Sequence, residues 1–384
     1  MKEVCNKEVC TGCGLCIIVC NKKAISFYNG KLGHLYPVID SNNCSNCGLC
    51  AKMCPANNKY QSLVYPLTSY AAFSRDMDDY KSSTSGAVAS VLSNYVIDQE
   101  GVVYGCSICN INSNTIDVKH IRVTSKNNLF RLKGSKYVQS RIVEILPLLR
   151  EDVKNGKKVL FIGTPCQTAA VRSLFPKNPK NLYVVDIICH GVPSLEILQK
   201  HIKDKIGGRD IDNIRFRNNS LYEMQFLLQD HILYKSNLFE ERYKDEYFNA
   251  FFDGYTFRDS CYQCKYARNE RVSDVTIGDF WGLGESIDAT TILPHNYGVS
   301  VVLPITNKGI ELIDSVKSKL NIYERPIVEA IHGNDQLREP KGICNRARLF
   351  RIFSKVLRFN VAYKLSIIDI NFRNALRRII FSKD

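Results

Sequence analysis

The stretch VCTGCGLCIIVC, Val9 to Cys20, places Cys10, Cys13, Cys16 and Cys20 at a CxxCxxCxxxC spacing within the first 20 residues. The same offsets return in CSNCGLCAKMCP, which sets Cys44, Cys47, Cys50 and Cys54. Three thiolates this close can cap three irons only on a tight turn, so a fourth must arrive from elsewhere. Doubled runs of this kind mark two [4Fe-4S] clusters, in which the last cysteine of each run ligates the other cluster. The spacing therefore predicts one site from Cys10, Cys13, Cys16 and Cys54, and a second from Cys44, Cys47, Cys50 and Cys20. Gly12, Gly14 and Gly48 let backbone N–H groups turn toward sulfide. Zinc ribbons use two separated CxxC pairs, a different pattern from overlapping triplets. Cys5 lies outside both runs and reads as an unligated thiol.

The chain has 384 residues and 16 cysteines, enough length for roughly two to three domains. Its start, MKEVCNKEVC, is charged and lacks the apolar core of a secretion signal. Metal-bound thiolates in a reducing cytoplasm are thus expected, not disulfides. No apolar run approaches the ~18 residues of a membrane span. The formal charge of +14 is uneven: from Lys341 to Asp384, eleven Lys and Arg face two Asp, a net +9.

Beyond YQSLVYP the periodicity becomes that of an α/β domain. KSSTSGAVASVLSNYVIDQEG reads as a hydroxyl-rich turn and then a helix with Val88, Val91, Leu92, Tyr95 and Val96 on one face. GVVYGCSI, KKVLFIGTPC and NLYVVDIICHG read as buried strands, the last two followed by helical patterns, so a largely parallel sheet is expected. Sites in such sheets gather at the carboxyl ends of strands, where Cys166 and Cys189 fall. With the CxxC pair Cys261 and Cys264 they total four thiols, enough for a third [4Fe-4S] cluster or a structural zinc. Cys106 and Cys109 compete for the same role. No GxGxxG follows a strand. Phosphate can instead be held by KSSTSG at its helix start, or by LKGSKYVQS through Lys133, Ser135 and Lys136.

Taken together, the double cysteine motif, KSSTSGAVASVLS, LKGSKYVQS, VLFIGTPCQTAAVRSL, IICHGVPS, CYQCKYARNERVSDVTIGDFWG and HNYGVSVVLPITNKG resemble the coenzyme F420 hydrogenase/dehydrogenase beta-subunit family. The segments follow the family's order over roughly residues 1–310. The resemblance implies FAD in the body, fed by a [4Fe-4S] cluster on Cys166, Cys189, Cys261 and Cys264. It also implies FAD contacts from Ser83, Thr84, Ser85 and Gly86, and from Gly134, Ser135, Lys136 and Tyr137. The family's SSSGG is SSTSG here, so Ser85 stands where a glycine is usual. The family also includes chlorophyllide-type reductases and bacterial members linked to cell-surface polysaccharide synthesis, so membership does not prescribe F420.

In the tail, ARLFRIFSKVLRFN predicts a helix with Leu349, Phe350, Ile352, Phe353, Val356, Leu357 and Phe359 opposite Arg351, Lys355 and Arg358. FRNALRRIIF repeats the arrangement with Phe372, Leu376, Ile379 and Ile380. Such a segment suits either an anionic membrane surface or packing on its own domain. Nucleic acid is disfavoured, because the aromatics lie away from the charges.

The expected architecture is an α+β ferredoxin-like 2[4Fe-4S] domain at 1–64, then an α/β domain at 65–340 with a largely parallel sheet and an antiparallel β insertion, and a basic helical tail at 341–384. The expected function is a cytoplasmic iron–sulfur flavoprotein oxidoreductase, peripheral to the membrane if the tail docks. It would pass electrons from a ferredoxin-like donor through the clusters to FAD and on to an organic substrate. The alternative is an electron-transfer subunit that serves a partner redox subunit and has no substrate of its own. His190 and His295 are the candidate proton donors.

Overall fold

The computed structural model describes residues 3–58, 62–111, 115–218, 221–240, 243–292 and 296–370. In the first part, strands β1 (Ile25–Asn29) and β2 (Leu35–Ile39) form an antiparallel hairpin. Two short helices, Leu15–Ile18 and Leu49–Met53, lie beside it, each entered from a glycine at positive φ, +76° at Gly14 and +73° at Gly48. These are the glycines of the two CGLC runs, so the repeated sequence makes a repeated turn. The domain is too small for a large apolar core: Val4, Ile25, Cys16, Cys50 and Cys54 are its buried centre.

The body is built on an eight-stranded sheet. Its strands are β3 (Ser69–Ser74), β4 (Val102–Cys109), β5 (Asp117–Val123), β6 (Val159–Gly163), β7 (Leu182–Ile187), β11 (Val275–Asp279), β12 (Ser300–Pro304) and β13 (Leu320–Arg325), and the intervening numbers belong to an insertion, β8 (Asn213–Arg215), β9 (Glu223–Leu228) and β10 (His231–Asn237). The order is β13-β3-β12-β11-β7-β6-β4-β5. The central strands β4, β6, β7 and β11 pair in parallel, as the alternation of strand and helix predicts. Antiparallel partners extend both edges. Strands buried on both faces must be apolar almost throughout, which is why VVY, VLF and YVV lack a polar alternation. Val103, Leu160 and Val185 meet the helix Val88–Asp98 on one face. Val102, Phe161 and Val184 meet Ala170 and Val171 of the helix Pro165–Leu174 on the other.

The insertion forms its own antiparallel sheet. Its aromatic core is shared with the helices Leu195–Ile206 and Glu246–Phe252 and, unexpectedly, with the tail. The single helix predicted from ARLFRIFSKVLRFN is instead two, Asn345–Phe353 and Phe359–Ser366, separated by a turn. The break turns Phe350, Phe359 and Tyr363 inward, where all three are buried, and leaves Leu349, Ile352 and Val356 exposed. Arg351, expected on the solvated face, donates to the Phe257 carbonyl at 3.0 Å and pairs with Asp259. The repeat in FRNALRRIIF lies outside the described residues. Among the described residues no helix is long and apolar enough to cross a membrane.

One buried carboxylate ties sheet to helix. Asp152 accepts from Tyr104 Oη and Arg122 Nε, each at 2.6 Å, from Arg122 Nη2 at 2.9 Å and from Lys157 Nζ at 3.0 Å. Burial opposes its ionisation, yet these donors hold its carboxyl well below the usual carboxylate range. Asp152→Asn is expected to lower stability by about 1–3 kcal/mol at neutral pH, because buried donors lose a charged acceptor. A depressed folded pKa gives stability that is complete above the unfolded value of about 3.9 and is lost as pH falls through the folded value. Denaturant unfolding at several pH values checks this: the gap between wild type and variant should close only in strong acid.

Candidate functional site

Three groups of cysteines and one large cavity lie in sequence through the molecule. Cys10, Cys13, Cys16 and Cys54 line a single small cavity with Cys5, Phe27 and Pro37. The Cys5 thiol hydrogen-bonds to Cys10 and Cys54 and, against their burial, holds them low, at about 6 and about 7. Burial pushes Cys13 up to about 12. Cys20 and Cys44 both act electrostatically on Cys50, and Cys54 shares its cavity with Cys10, Cys13 and Cys16, so the fourth cysteine of each run lies by the other run's triplet. Cys47 is exposed and Cys44 half-buried, which puts this second group at the surface. Cys16 lies within electrostatic reach of Cys50 and so joins the two groups.

Cys166, Cys189, Cys261 and Cys264 line a third cavity, of about 100 Å³. Cys166 sits in the first turn of the helix after β6, and Cys189 just past the end of β7. Cys261 and Cys264 are carried by the 3₁₀ turn Asp259–Gln263 and the residue after it. Burial, reinforced by neighbouring thiols, lifts Cys166 and Cys189 to about 12 and raises Cys261; burial raises Cys264 as well. Four such thiols ionise together only if bound metal supplies compensating charge, so the donor set fits an iron–sulfur cluster. Among the described residues no three His, Cys, Asp or Glu are grouped tightly enough for a single ion. A cubane, with its irons at separate corners, spreads its thiolates more widely. Cys106 and Cys109 do not join this group: they are three apart on β4, and Cys109 meets Arg131 instead.

The small domain reaches into this third cavity. Val9, Thr11 and Ala56 line it beside the body cysteines. The Tyr266 phenol lies among Cys166 and Cys264 of the body and Cys13 and Cys54 of the small domain. Gln139 donates to the Thr11 carbonyl at 2.9 Å, Tyr36 to Asp259 at 3.1 Å, and Lys265 to the Pro55 carbonyl.

The largest cavity, about 360 Å³, opens over the carboxyl ends of β6, β7 and β11, between the helix Val88–Asp98 and the turn around Gly134. The two segments singled out for phosphate meet here. Thr84 Oγ1 is 3.1 Å from Ser135 Oγ, and Lys133 reaches Ser82 Oγ at 2.8 Å and Asp79 at 2.5 Å. Lys136 is buried, which lowers its pKa, and donates to the Leu132 and Lys133 carbonyls. Tyr137 stacks on Phe251 at 5.0 Å. Ser83, Thr84, Ser85, Lys133, Gly134, Ser135, Lys136 and Tyr137 all line the space. Gly86 does not: a Cβ there would stand 2.1 Å from the Ala72 carbonyl, so this glycine serves contact with the sheet. Ser85 Oγ is engaged with Val299 O and Ser300 Oγ. The volume, the apolar floor and the hydroxyl and lysine donors at one end fit a flavin nucleotide.

Cys189, His190, Gly191 and Val192 line both this cavity and the third cysteine cavity, forming a shared wall. The candidate acid His190 is held there neutral. Its Nε2 donates to the Phe252 carbonyl at 3.1 Å, Nδ1 accepts from Gln336 at 2.7 Å, and burial keeps its pKa low. Both nitrogens are engaged, and the ring stands in the wall between the two cavities. His295 lies outside the described residues. Two lining features escaped the sequence reading. His120, pushed down to about 4 by burial, is bound to Ile162 O and Ser140 Oγ. Arg217 pairs with Asp279 at 2.6 Å while its guanidinium lies over the Tyr222 ring. Asp279 ends β11 and could have been flagged by its strand-end position; nothing in the sequence marks Arg217.

Residues 156–330 match the family described as the C terminus of the coenzyme F420 hydrogenase/dehydrogenase beta subunit, and residues 9–58 match the 4Fe-4S dicluster domain. Over those residues the chain resembles this beta-subunit family, with the dicluster match ahead of it. It is 24% identical over 237 residues to a protein of Methanosarcina mazei named as a subunit of F(420)H(2) dehydrogenase, a match covering 57% of this chain and 65% of that protein's length. Among solved structures, a chain of the F420-reducing [NiFe] hydrogenase complex from Methanosarcina barkeri aligns at 17% identity with a TM-score of 0.48, over 80% of this chain and 93% of that one.

The crossed arrangement has a direct test. Cys20→Ser should perturb the paramagnetic signal of the site that holds Cys44, Cys47 and Cys50, and Cys54→Ser that of the site that holds Cys10, Cys13 and Cys16. Spectra of the reduced variants in which each substitution disturbs its own run would reverse the assignment.

Proposed function

We propose, from that family resemblance and the cavities, that the chain is an iron–sulfur flavoprotein oxidoreductase. In this reading Cys44, Cys47, Cys50 and Cys20 hold the outer cluster, Cys10, Cys13, Cys16 and Cys54 the middle one, and Cys166, Cys189, Cys261 and Cys264 the inner one. FAD occupies the 360 Å³ cavity. Bound there, the clusters supply one-electron carriage and the flavin supplies two-electron chemistry at an organic substrate, a deazaflavin of the F420 type or another metabolite. The observation that carries the reading is the shared wall Cys189–Val192, with a cysteine cavity on one side and a nucleotide-sized space on the other.

The chain's own contribution is placement and shielding. Thr84, Ser135 and Lys133 form a polar end that can grip a diphosphate. Tyr137 and Phe251 make an aromatic side wall. Tyr266, Thr11 and Ala56 cover the inner cysteines. The exposed surface around Cys47 is where a ferredoxin-like donor or a partner redox subunit would dock. A second reading, an electron-transfer subunit with no substrate of its own, draws on the relative in Methanosarcina mazei, whose name is that of a subunit. Turnover of the isolated chain with an organic acceptor separates the two.

The outward face of the tail suits an anionic membrane surface. Leu349, Ile352, Val356, Val361 and Ile368 are exposed there, and the segment carries Arg348, Lys355, Arg358 and Lys364. Interfacial Lys and Arg contribute about 1 kcal/mol each near such a surface.

Two outcomes follow. Three clusters require about 12 irons per chain, and Cys264→Ala should leave about 8. FAD should stay bound, and reduction of the flavin by reduced ferredoxin should slow at least about a hundredfold, roughly 2.7 kcal/mol on the barrier. Full iron and normal flavin reduction would overturn the third site. For the tail, removal of the whole segment would also strip Phe350, Phe359 and Tyr363 from the core. The test is therefore the surface double variant Ile352→Glu, Val356→Glu. It should keep iron and flavin but lose sedimentation with phosphatidylserine vesicles, which in wild type should weaken as salt rises. Equal sedimentation of both forms would leave only the packing role.

A further inference from the structure

We propose that Arg258 sets the reduction potential of the middle site, Cys10, Cys13, Cys16 and Cys54, and makes it easier to reduce than the outer one. The inference rests on the ligation reading above. Arg258 is 1% exposed and is the largest fully buried side chain among the described residues. It reaches from the body into the small domain: Nε donates to the Cys10 carbonyl at 2.6 Å, Nη2 to the Leu35 carbonyl at 2.7 Å, and Nη1 to Gln139 Oε1 at 3.3 Å. Nη2 also lies 3.7 Å from Cys10 Sγ, and the guanidinium stacks on Tyr36 at 4.2 Å. A Cβ on Gly12, one of the two residues between Cys10 and Cys13, would stand 2.7 Å from Nη1. The cation is thus laid flat on the cluster-binding turn.

These contacts satisfy its N–H groups but not its charge. Every other fully or nearly buried arginine described here, Arg217, Arg271 and Arg325, has a carboxylate partner. Arg258 forms no ion pair among the described residues. An isolated buried cation is costly, so its counter-charge must come from something else within the contact shell. The group it touches is the thiolate set that Cys10 begins.

The sign of the effect is opposite to that of burial. Reduction adds one electron and makes or breaks no bond, so the site becomes more negative. Burial alone makes that harder at the middle site than at the outer one, where Cys47 is exposed. A fixed positive charge in contact makes it easier. The order of the two potentials therefore reports which influence dominates.

The experiment is an anaerobic redox titration of the full chain followed by paramagnetic resonance, with signals assigned from Cys54→Ser and Cys20→Ser. In wild type the Cys54 site should titrate at the higher potential. Arg258→Gln, which keeps donors but removes charge, should reduce the reduction equilibrium constant of that site at least about tenfold, 59 mV for one electron, and leave the Cys20 site unmoved. Arg258→Lys should recover most of the shift. A lower potential at the Cys54 site in wild type overturns the proposal, whether or not the variants fold. So does an unshifted Arg258→Gln with full iron, or an equal shift of both sites, which would mean that Arg258 only holds the domains together. Wild-type iron too low for both ferredoxin sites would instead overturn the ligation reading.

Discussion

The wall Cys189–Val192 is the constraint around which the body is arranged. It leaves β7 in the centre of the parallel strands, where neighbouring strands end together and their connections part to opposite faces. A cavity on each side of one short segment follows from that topology, because the helix after β6 covers one side and the helix Val88–Asp98 the other. Had the central strands been antiparallel, successive strand ends would have alternated, and Cys166, Cys189 and Asp279 would not share one edge.

The small domain is fastened to that edge by groups that each do two things. Arg258 bonds the Cys10 and Leu35 carbonyls while it stands three residues before Cys261. Gln139 follows the phosphate-side turn by a few residues and holds Thr11. The tail adds a second tier: Arg351 binds Asp259, which in turn accepts from Tyr36. A helix that is remote in sequence therefore steadies the loop that presents Cys261 and Cys264.

Legibility in the sequence followed the range of the interactions. The doubled cysteine run was readable because ligand spacing and its glycine turns are local, and both reappear at Gly14 and Gly48. The buried strands were readable because parallel strands leave a continuous apolar signature. Cys166, Cys189, Cys261 and Cys264 were half-readable: strand ends and a CxxC pair suggested the four, while spacing alone left Cys106 and Cys109 as rivals until the fold put the four in one cavity. The rest depended on contacts that span the chain. Whether Gly86 faces a ligand or the sheet is decided by Ala72, and the role of His190 by Phe252 and Gln336. In the tail Phe359 lay on the predicted stripe with Leu349 yet ended in the core, because a turn divides the segment into two helices.

The lining of the third cavity also bears on how the proposed inner site could be filled. Thr11 and Ala56 join Tyr266 in that lining only through contact of the small domain with the body, the same contact in which Arg258 bonds the Cys10 carbonyl. In the proposed three-cluster reading, iron and sulfide would reach Cys166, Cys189, Cys261 and Cys264 most directly before that contact forms. The outer cysteines, with Cys47 in solvent, remain open to a scaffold protein afterwards. In that reading the outer site, with Cys47 exposed, would be the one open to exchange in the intact molecule.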